Sequence, residues 1–267
     1  AIVADVKEVL NAFNVEIDRR RKDINPALIQ GWWSTIDGWR GKNSYWYEHS
    51  DTIIKPQYVV EMLHKVTGGD AFVTSDVGQH QMFAAQFYGF SDTHRWINSG
   101  GLGTMGFGLP AAIGAKFACP DDMVVCVTGD GGVQMNFQEL VVAVEHKRPV
   151  VIVILNNGYL GMVRQWQEMF YQHRYSGVTL GQAGREIMEK IEKSDDAVYL
   201  PDFLKLAEAH GAVAKRIFMK EEVGPALKEA FESGKTCVIE CIVDPEANVF
   251  PMIPPGQAVS SMINRTV

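Results

Sequence analysis

Two nearly unbroken apolar runs, Met123–Thr128 and Val150–Leu155, dominate the middle of the chain. Both are rich in β-branched residues and neither alternates with polar positions, as expected of strands buried on both faces of a parallel sheet. Between them Leu140, Val141 and Val144 recur at helical spacing. Asn136 is placed as an N-cap and Glu139 as its capping-box partner, so the pattern predicts a helix over 136–146. Strand, helix and strand form a βαβ unit. Further strand candidates, Ala71–Ser75, Ala212–Ile217 and Thr236–Val243, alternate with helical segments from Pro56 onward. The predicted fold is α/β, a parallel sheet of about five to six strands with helices on both faces. Ahead of it, Val6–Phe13 and Ala27–Trp39 read as amphipathic helices separated by a charged stretch. Residues 1–50 are therefore expected to be a helical connecting segment, 51–255 the α/β domain and 256–267 a tail. Within the domain, 177–199 reads as an insertion whose charged part, Arg185–Lys193, is helix-like; insertions of this length beside a site are often lids.

With 46% hydrophobic residues in 267, the chain can bury a substantial core. The formal charge of -7 argues against a nucleic-acid or anionic-membrane partner, because those surfaces need clustered Lys and Arg. Arg19–Lys22 is the one basic run and reads as a solvated helix end. No apolar stretch approaches the roughly 20 residues of a membrane span, and no charged leader precedes an apolar signal core. The expectation is an intracellular protein or a processed mature form. Cys119, Cys126, Cys237 and Cys241 lack C-x-x-C spacing and are expected to be free, mostly buried thiols.

The chemistry sits where the two central runs end. Gly129-Asp130-Gly131-Gly132 closes the first and Asn156-Asn157-Gly158-Tyr159 closes the second. Either could be a tight turn by itself. On adjacent strands of a parallel sheet both point into the crevice beyond the carboxyl ends, where ligands bind. Asp130 and Asn157 offer hard oxygens for Mg²⁺, a backbone carbonyl at Tyr159 offers a third, and the glycines expose N–H groups to a diphosphate. Gln79 and His80 follow another strand end, Ser75-Asp76-Val77-Gly78, and suit either diphosphate binding or helix capping. Met162 and Trp166 share one face of the next helix, which fits core packing or a site wall.

A competing pattern is Gly101-Leu-Gly-Thr-Met-Gly106, which satisfies G-x-G-x-x-G, with Asp121 and Asp122 about where a ribose-binding acid would lie. Arg95–Asn98 is too short and polar for the strand such a dinucleotide site requires, and the acids follow Pro120 in a turn.

Gly-Asp-Gly, a helix, an apolar strand and Asn-Asn together resemble the thiamine-diphosphate signature of the decarboxylase and carboligase family. Ser75–Met82, Ser99–Ala112, Gly161–Trp166 and Val249–Pro254 narrow the resemblance to the catalytic subunit of acetohydroxyacid synthase (acetolactate synthase), over most of the chain from Trp32 to Ile263. The resemblance implies a magnesium- and thiamine-diphosphate-dependent condensation of pyruvate, after loss of CO₂, with a second 2-oxo acid, pyruvate or 2-oxobutyrate, in branched-chain amino-acid biosynthesis. It assigns Asp130, Asn157 and Tyr159 to the metal. It assigns Val77, Gly78, Gln79, His80, Gly103, Met105, Gly131, Gly132, Leu160, Gly161 and Met162, together with the metal ligands, to the cofactor. Gly103 and Met105 would support the bent cofactor, Met162 and Trp166 would line the substrate channel, and Arg164 with Tyr171–Tyr175 would border a mobile entrance. The proton-relay acid of the family lies on a separate pyrimidine-binding domain, and most of its FAD site on a middle domain; neither has a counterpart here. The chain is thus expected to be the cofactor-anchoring part of a larger enzyme, a homodimer or higher oligomer, with a possible regulatory small subunit, in the cytoplasm or an organelle matrix. The alternatives are a binding module without turnover and another 2-oxo-acid decarboxylase.

Overall fold

The computed structural model describes residues 1–41, 45–180 and 201–264. The chain divides into two compact units, Ala1–Trp46 and Tyr47–Val267. The first holds α1 (Val6–Arg20) and α2 (Pro26–Arg40), capped by the Asp5 and Asn25 side chains. Helix α1 continues through the charged stretch expected to end it, because Glu16 pairs with Arg19 and Arg20 and Asp18 with Arg21 at helical spacing. Arg19 and Arg20 in its last turn also complement the helix dipole.

The second unit carries α3 (Pro56–Thr67), β1 (Phe72–Ser75), α4 (Gln79–Phe87), β2 (Trp96–Asn98), α5 (Gly108–Ala118), β3 (Val124–Gly129), α6 (Asp130–Val133), α7 (Leu140–Glu145), β4 (Val151–Asn156), α8 (Gly161–Phe170), α9 (Phe203–Ala209), β5 (Val213–Ile217), α10 (Lys220–Glu232) and β6 (Cys237–Ile242). The six strands form one sheet in the order β2-β1-β3-β4-β6-β5, with every neighbouring pair parallel. Strands β3 and β4 are buried along their whole length, as their unbroken apolar runs require. Their alternate residues feed two cores. Val125, Val127, Val151, Val153 and Leu155 pack with Val59, Leu63, Phe83, Val223 and Leu227 from α3, α4 and α10. Val124, Cys126, Ile152 and Ile154 pack with Leu109, Ala112, Leu140, Phe203 and Ala207 from α5, α7 and α9. All four cysteines are free; three are buried and Cys119 is partly exposed.

After β1 the chain steps outward to β2 and then returns to the other side of β1 as β3, so the crevice for a ligand opens between the carboxyl ends of β1 and β3. The structure adds to the sequence reading at two places and changes it at 136–146. Trp96–Asn98 is a strand after all, a three-residue edge paired with Val73–Ser75. The helix expected over 136–146 is a 3-10 turn, Phe137–Glu139, leading into the shorter α7, and Asn136 caps nothing: its amide donates to the Gly106 carbonyl at 2.8 Å. Residues 178–180, expected in the insertion, run antiparallel to 158–160, with Leu160 N donating to Val178 O and Leu180 N to Gly158 O. The helix expected over 185–193 lies outside the described residues. In the expected tail, Ile263 exchanges backbone hydrogen bonds with Met252, within the expected domain.

Asp122 ion-pairs with Arg95 at 2.9 Å and precedes β3. It therefore lies at the amino ends of the strands, opposite the crevice, and does not serve the dinucleotide pattern as its ribose-binding acid.

The wholly buried Tyr88 hydroxyl accepts from Ala71 N at 3.2 Å and lies 2.6 Å from Thr67 Oγ1, which itself donates to Leu63 O. Tyr88→Phe leaves the Ala71 N–H unpaired and is expected to cost about 1–3 kcal/mol in urea denaturation. An unchanged midpoint would show that this buried donor finds another partner.

Candidate functional site

Each central strand runs directly into a polar turn. Asp130 follows the last residue of β3 and is only 2% exposed. Its Oδ1 accepts from its own Gly131 N at 2.9 Å, while Oδ2 crosses to the next turn and accepts from Gly158 N at 2.7 Å. One carboxylate thus fastens the end of β3 to the turn after β4. That turn is an Asx turn, with Asn157 Oδ1 accepting from Tyr159 N at 3.0 Å, and Gly158 adopts φ 72°, which favours glycine. The pairing with 178–180 uses Gly158 O and Leu160 N, so it leaves the Tyr159 carbonyl untaken. Burial is the main reason that the Asp130 carboxyl is pushed up to about 7, against backbone N–H groups that oppose the rise. A cation beside it would relieve that cost.

The third strand end supplies His80 and Gln79. Burial holds the His80 imidazole down to about 4, opposed by the nearby Asp76 carboxylate, so the ring is neutral near pH 7. Its Nε2 is buried without a hydrogen-bond partner among the described residues. The ring occupies room left by two glycines: a Cβ at Gly78 or at Gly129 would lie 2.9 Å from it. The Gln79 amide is already engaged, donating to Gln165 Oε1 at 2.8 Å and Ala247 O at 2.9 Å, and accepting from Asn157 Nδ2 at 3.3 Å. Its role in this geometry is to brace Asn157.

These turns enclose a cavity of about 410 Å³, whose wall includes Val77, Gly78, Gln79, His80, Met105, Asp130, Gly131, Gly132, Asn157, Tyr159, Leu160, Gly161 and Met162. Of the residues expected to bind a cofactor, only Gly103 is outside the wall. It sits in an exposed loop at φ 61°, where an added Cβ would be 3.9 Å from Val77. Among the described residues no three His, Cys, Asp or Glu side chains are placed to hold a metal. One carboxylate, one amide oxygen and one carbonyl form a sparser, all-oxygen set, which suits Mg²⁺ shared with phosphate oxygens. The unpartnered His80 Nε2, with the backbone of Gly78, Gly131 and Gly132 in the same wall, fits a diphosphate.

Residues 76–241 match the thiamine pyrophosphate enzymes, C-terminal TPP binding domain. The chain belongs to this family.

Among relatives of this thiamine pyrophosphate enzyme chain, the acetolactate synthase isozyme 3 large subunit of Escherichia coli (strain K12) is 44% identical over 264 residues, 98% of this chain and 43% of that protein. The acetolactate synthase large subunit of Haemophilus influenzae is 43% identical over 267 residues, again 98% of this chain and 43% of the relative. Among solved structures, the Rhodococcus jostii RHA1 thiamine diphosphate-dependent 4-hydroxybenzoylformate decarboxylase aligns with a TM-score of 0.61 at 25% identity, covering 74% of this chain and 34% of that one. The chain therefore spans less than half the length of these relatives.

Three placements in this TPP-binding domain refine the sequence reading. On α8 the buried residues are Arg164 and Gln165; Met162 lines the cavity and Trp166, 40% exposed, lies beyond it, so neither of the apolar pair is core. Arg164 is buried between the Tyr159 and Tyr175 rings, 5.4 and 5.3 Å from their centroids, and pairs with Glu168 at 2.9 Å. Asp76, to which the sequence reading gave no role, is a buried hub: its carboxylate accepts from Val77 N at 2.8 Å, Gly106 N at 2.9 Å and Gly108 N at 3.0 Å. It thereby fixes the loop that carries Met105. The signal for it was an acid directly after an apolar strand and before Val-Gly.

The His80 environment sets a pH dependence. Below about 6.5 the unfolded chain takes up a proton that the native ring refuses until about pH 4. Native stability is therefore lost as pH falls through that window, by about 3 kcal/mol at full effect, and is unaffected above it. Asp130 titrates in the opposite sense, so the comparison is with His80→Asn. Between pH 7 and pH 4.5 the variant is expected to lose less thermal stability than the unmodified chain; parallel losses would contradict a buried neutral ring.

Proposed function

We propose that this chain is the cofactor-anchoring part of a thiamine-diphosphate-dependent carboligase of the acetolactate synthase type, condensing pyruvate with pyruvate or 2-oxobutyrate after decarboxylation. The observation that carries the proposal is the Asp130 carboxylate, buried and bonded to Gly158 N beside a cavity that also receives the unpartnered His80 Nε2. In this reading Asp130, Asn157 Oδ1 and the Tyr159 carbonyl hold Mg²⁺. His80 and the backbone N–H groups around Gly78, Gly131 and Gly132 bind the diphosphate. When bound, thiamine diphosphate supplies the nucleophilic carbon and the electron sink for decarboxylation. Met105, fixed through the Asp76 hub, and the Gly103 loop would hold the cofactor's ring end when it is bound. Val77, Leu160, Gly161 and Met162 keep water from the reacting end, while Trp166, one turn beyond Met162, borders the substrate channel.

Among the described residues, the acids of the cavity wall are Asp130, reserved for the metal, and Asp244, which pairs with Lys55. As the family resemblance implies, the carboxylic acid that activates the pyrimidine would come from another domain of the whole enzyme, reached in a homodimer. The name "large subunit" on the relatives supports a smaller regulatory partner, and the large share of those relatives that lies outside this chain leaves room for a middle domain with FAD. A cytoplasmic or organelle-matrix setting completes the proposal. Similarity to a solved decarboxylase favours a second reading, a 2-oxo-acid decarboxylase without ligation. Product analysis with pyruvate in the whole enzyme separates them: acetolactate supports the first, acetaldehyde alone the second.

Calorimetric titration with thiamine diphosphate and Mg²⁺ tests the site. Asp130→Ala is expected to weaken binding by more than about 100-fold while circular dichroism stays native. Unchanged affinity in the folded variant would remove Asp130 from the metal.

A further inference from the structure

A carboxylate inside the sheet is joined to the metal turn. Glu240 lies on β6, opposite Ile154 on one side and Arg216 on the other, and is 2% exposed. Its Oε1 accepts from Asn156 Nδ2 at 2.7 Å and its Oε2 from Arg216 Nε at 2.6 Å. Arg216 Nη2 continues to Asp202 Oδ1 at 3.2 Å, and Asp202 caps α9. At the other end Asn156 Oδ1 accepts from Gly158 N at 3.1 Å, the same N–H that Asp130 holds. A carboxylate can only accept, so Glu240 fixes which end of the Asn156 amide faces it and turns the oxygen toward Gly158.

Burying such a pair is costly, and apolar residues of similar volume would often serve stability as well. Both Glu240 oxygens are instead satisfied, and the chain of bonds ends on the single residue between Asn157 and Tyr159. We propose that Arg216 and Glu240 are positioning residues which, through Asn156, set the Asn157-Gly158-Tyr159 turn so that its two oxygen donors meet Mg²⁺. This inference rests on the proposed metal site. It adds that the site's affinity is set from β5 and β6, by side chains that do not touch the ion.

The test pairs Arg216→Met with Glu240→Leu, a substitution that leaves no unpaired charge, and adds the milder Glu240→Gln. The double variant is expected to fold, to need 10–100-fold more Mg²⁺ for half-maximal thiamine-diphosphate binding, and to recover full binding at saturating Mg²⁺. In the metal-free chain, hydrogen exchange at the Gly158 amide should accelerate. Glu240→Gln should shift the Mg²⁺ midpoint in the same direction by several-fold. Tyr88→Phe, destabilised far from the turn, should keep the original midpoint, which separates positioning from general loss of stability. A folded double variant with unchanged midpoint and unchanged Gly158 exchange overturns the inference; should it not fold, an unchanged midpoint in Glu240→Gln does so. If the unmodified chain binds no magnesium–thiamine diphosphate, the site reading fails, and Gly158 exchange still decides whether the pair holds the turn.

Discussion

Asp130 is a carboxylate taken almost wholly out of water at the meeting point of two strand ends, and the site depends on how that is tolerated. Two backbone N–H groups, from Gly131 and Gly158, compensate part of the lost hydration. The remainder appears as a carboxyl that ionises with difficulty. A group in this condition gains more from a divalent cation than a solvated carboxylate does, because less water must be removed from it. The same bond to Gly158 sets the spacing between β3's turn and β4's turn.

The other strand end is also coupled to this centre by side-chain amides and acids. Gln79 spans from Asn157 to Gln165 and Ala247, and Gln165 in turn exchanges bonds with the backbone of Val249. Asp76 binds the Gly106 and Gly108 amides, and Asn136 binds the Gly106 carbonyl. Backbone carbonyls and N–H groups around the cavity are thereby held by directional bonds. Glycine is needed where the crowding is tightest: a Cβ at Gly132 would fall 2.4 Å from Asp76 Oδ1 and one at Gly161 2.2 Å from Gln79 Oε1.

Much of this was legible in the sequence because it is local. Val150–Leu155 shows a strand buried on both faces by its own composition, and Asp130 and Asn157 stand where such strands must end. The parallel sheet follows from the same signals, whereas Val77, Met105, Leu160, Gly161 and Met162 were expected at the site through the family resemblance. What escaped is non-local. Trp96–Asn98 is a strand only because Val73–Ser75 lies beside it. Asn136 follows cap spacing, yet its amide is taken by Gly106, thirty positions back. Glu240 and Arg216 sit in runs that read as ordinary strand, and nothing near them in sequence announces Asn156. The charged stretch before Arg20 was lost to the helix for a different reason, since its ion pairs extend α1 where polarity alone suggests a break.

The transposed order of the last two strands has a consequence in time. Strand β6 takes its place between β4 and β5 although it is made after both. As the chain leaves the ribosome, the open flank of β4 must wait for Cys237–Ile242 before it is covered, and a sheet flank of this kind is vulnerable to wrong partners. Glu240 arrives with that final strand. Asn156 is therefore clamped only when the sheet closes, so the turn after β4 is not fixed until a strand far along the chain has been made.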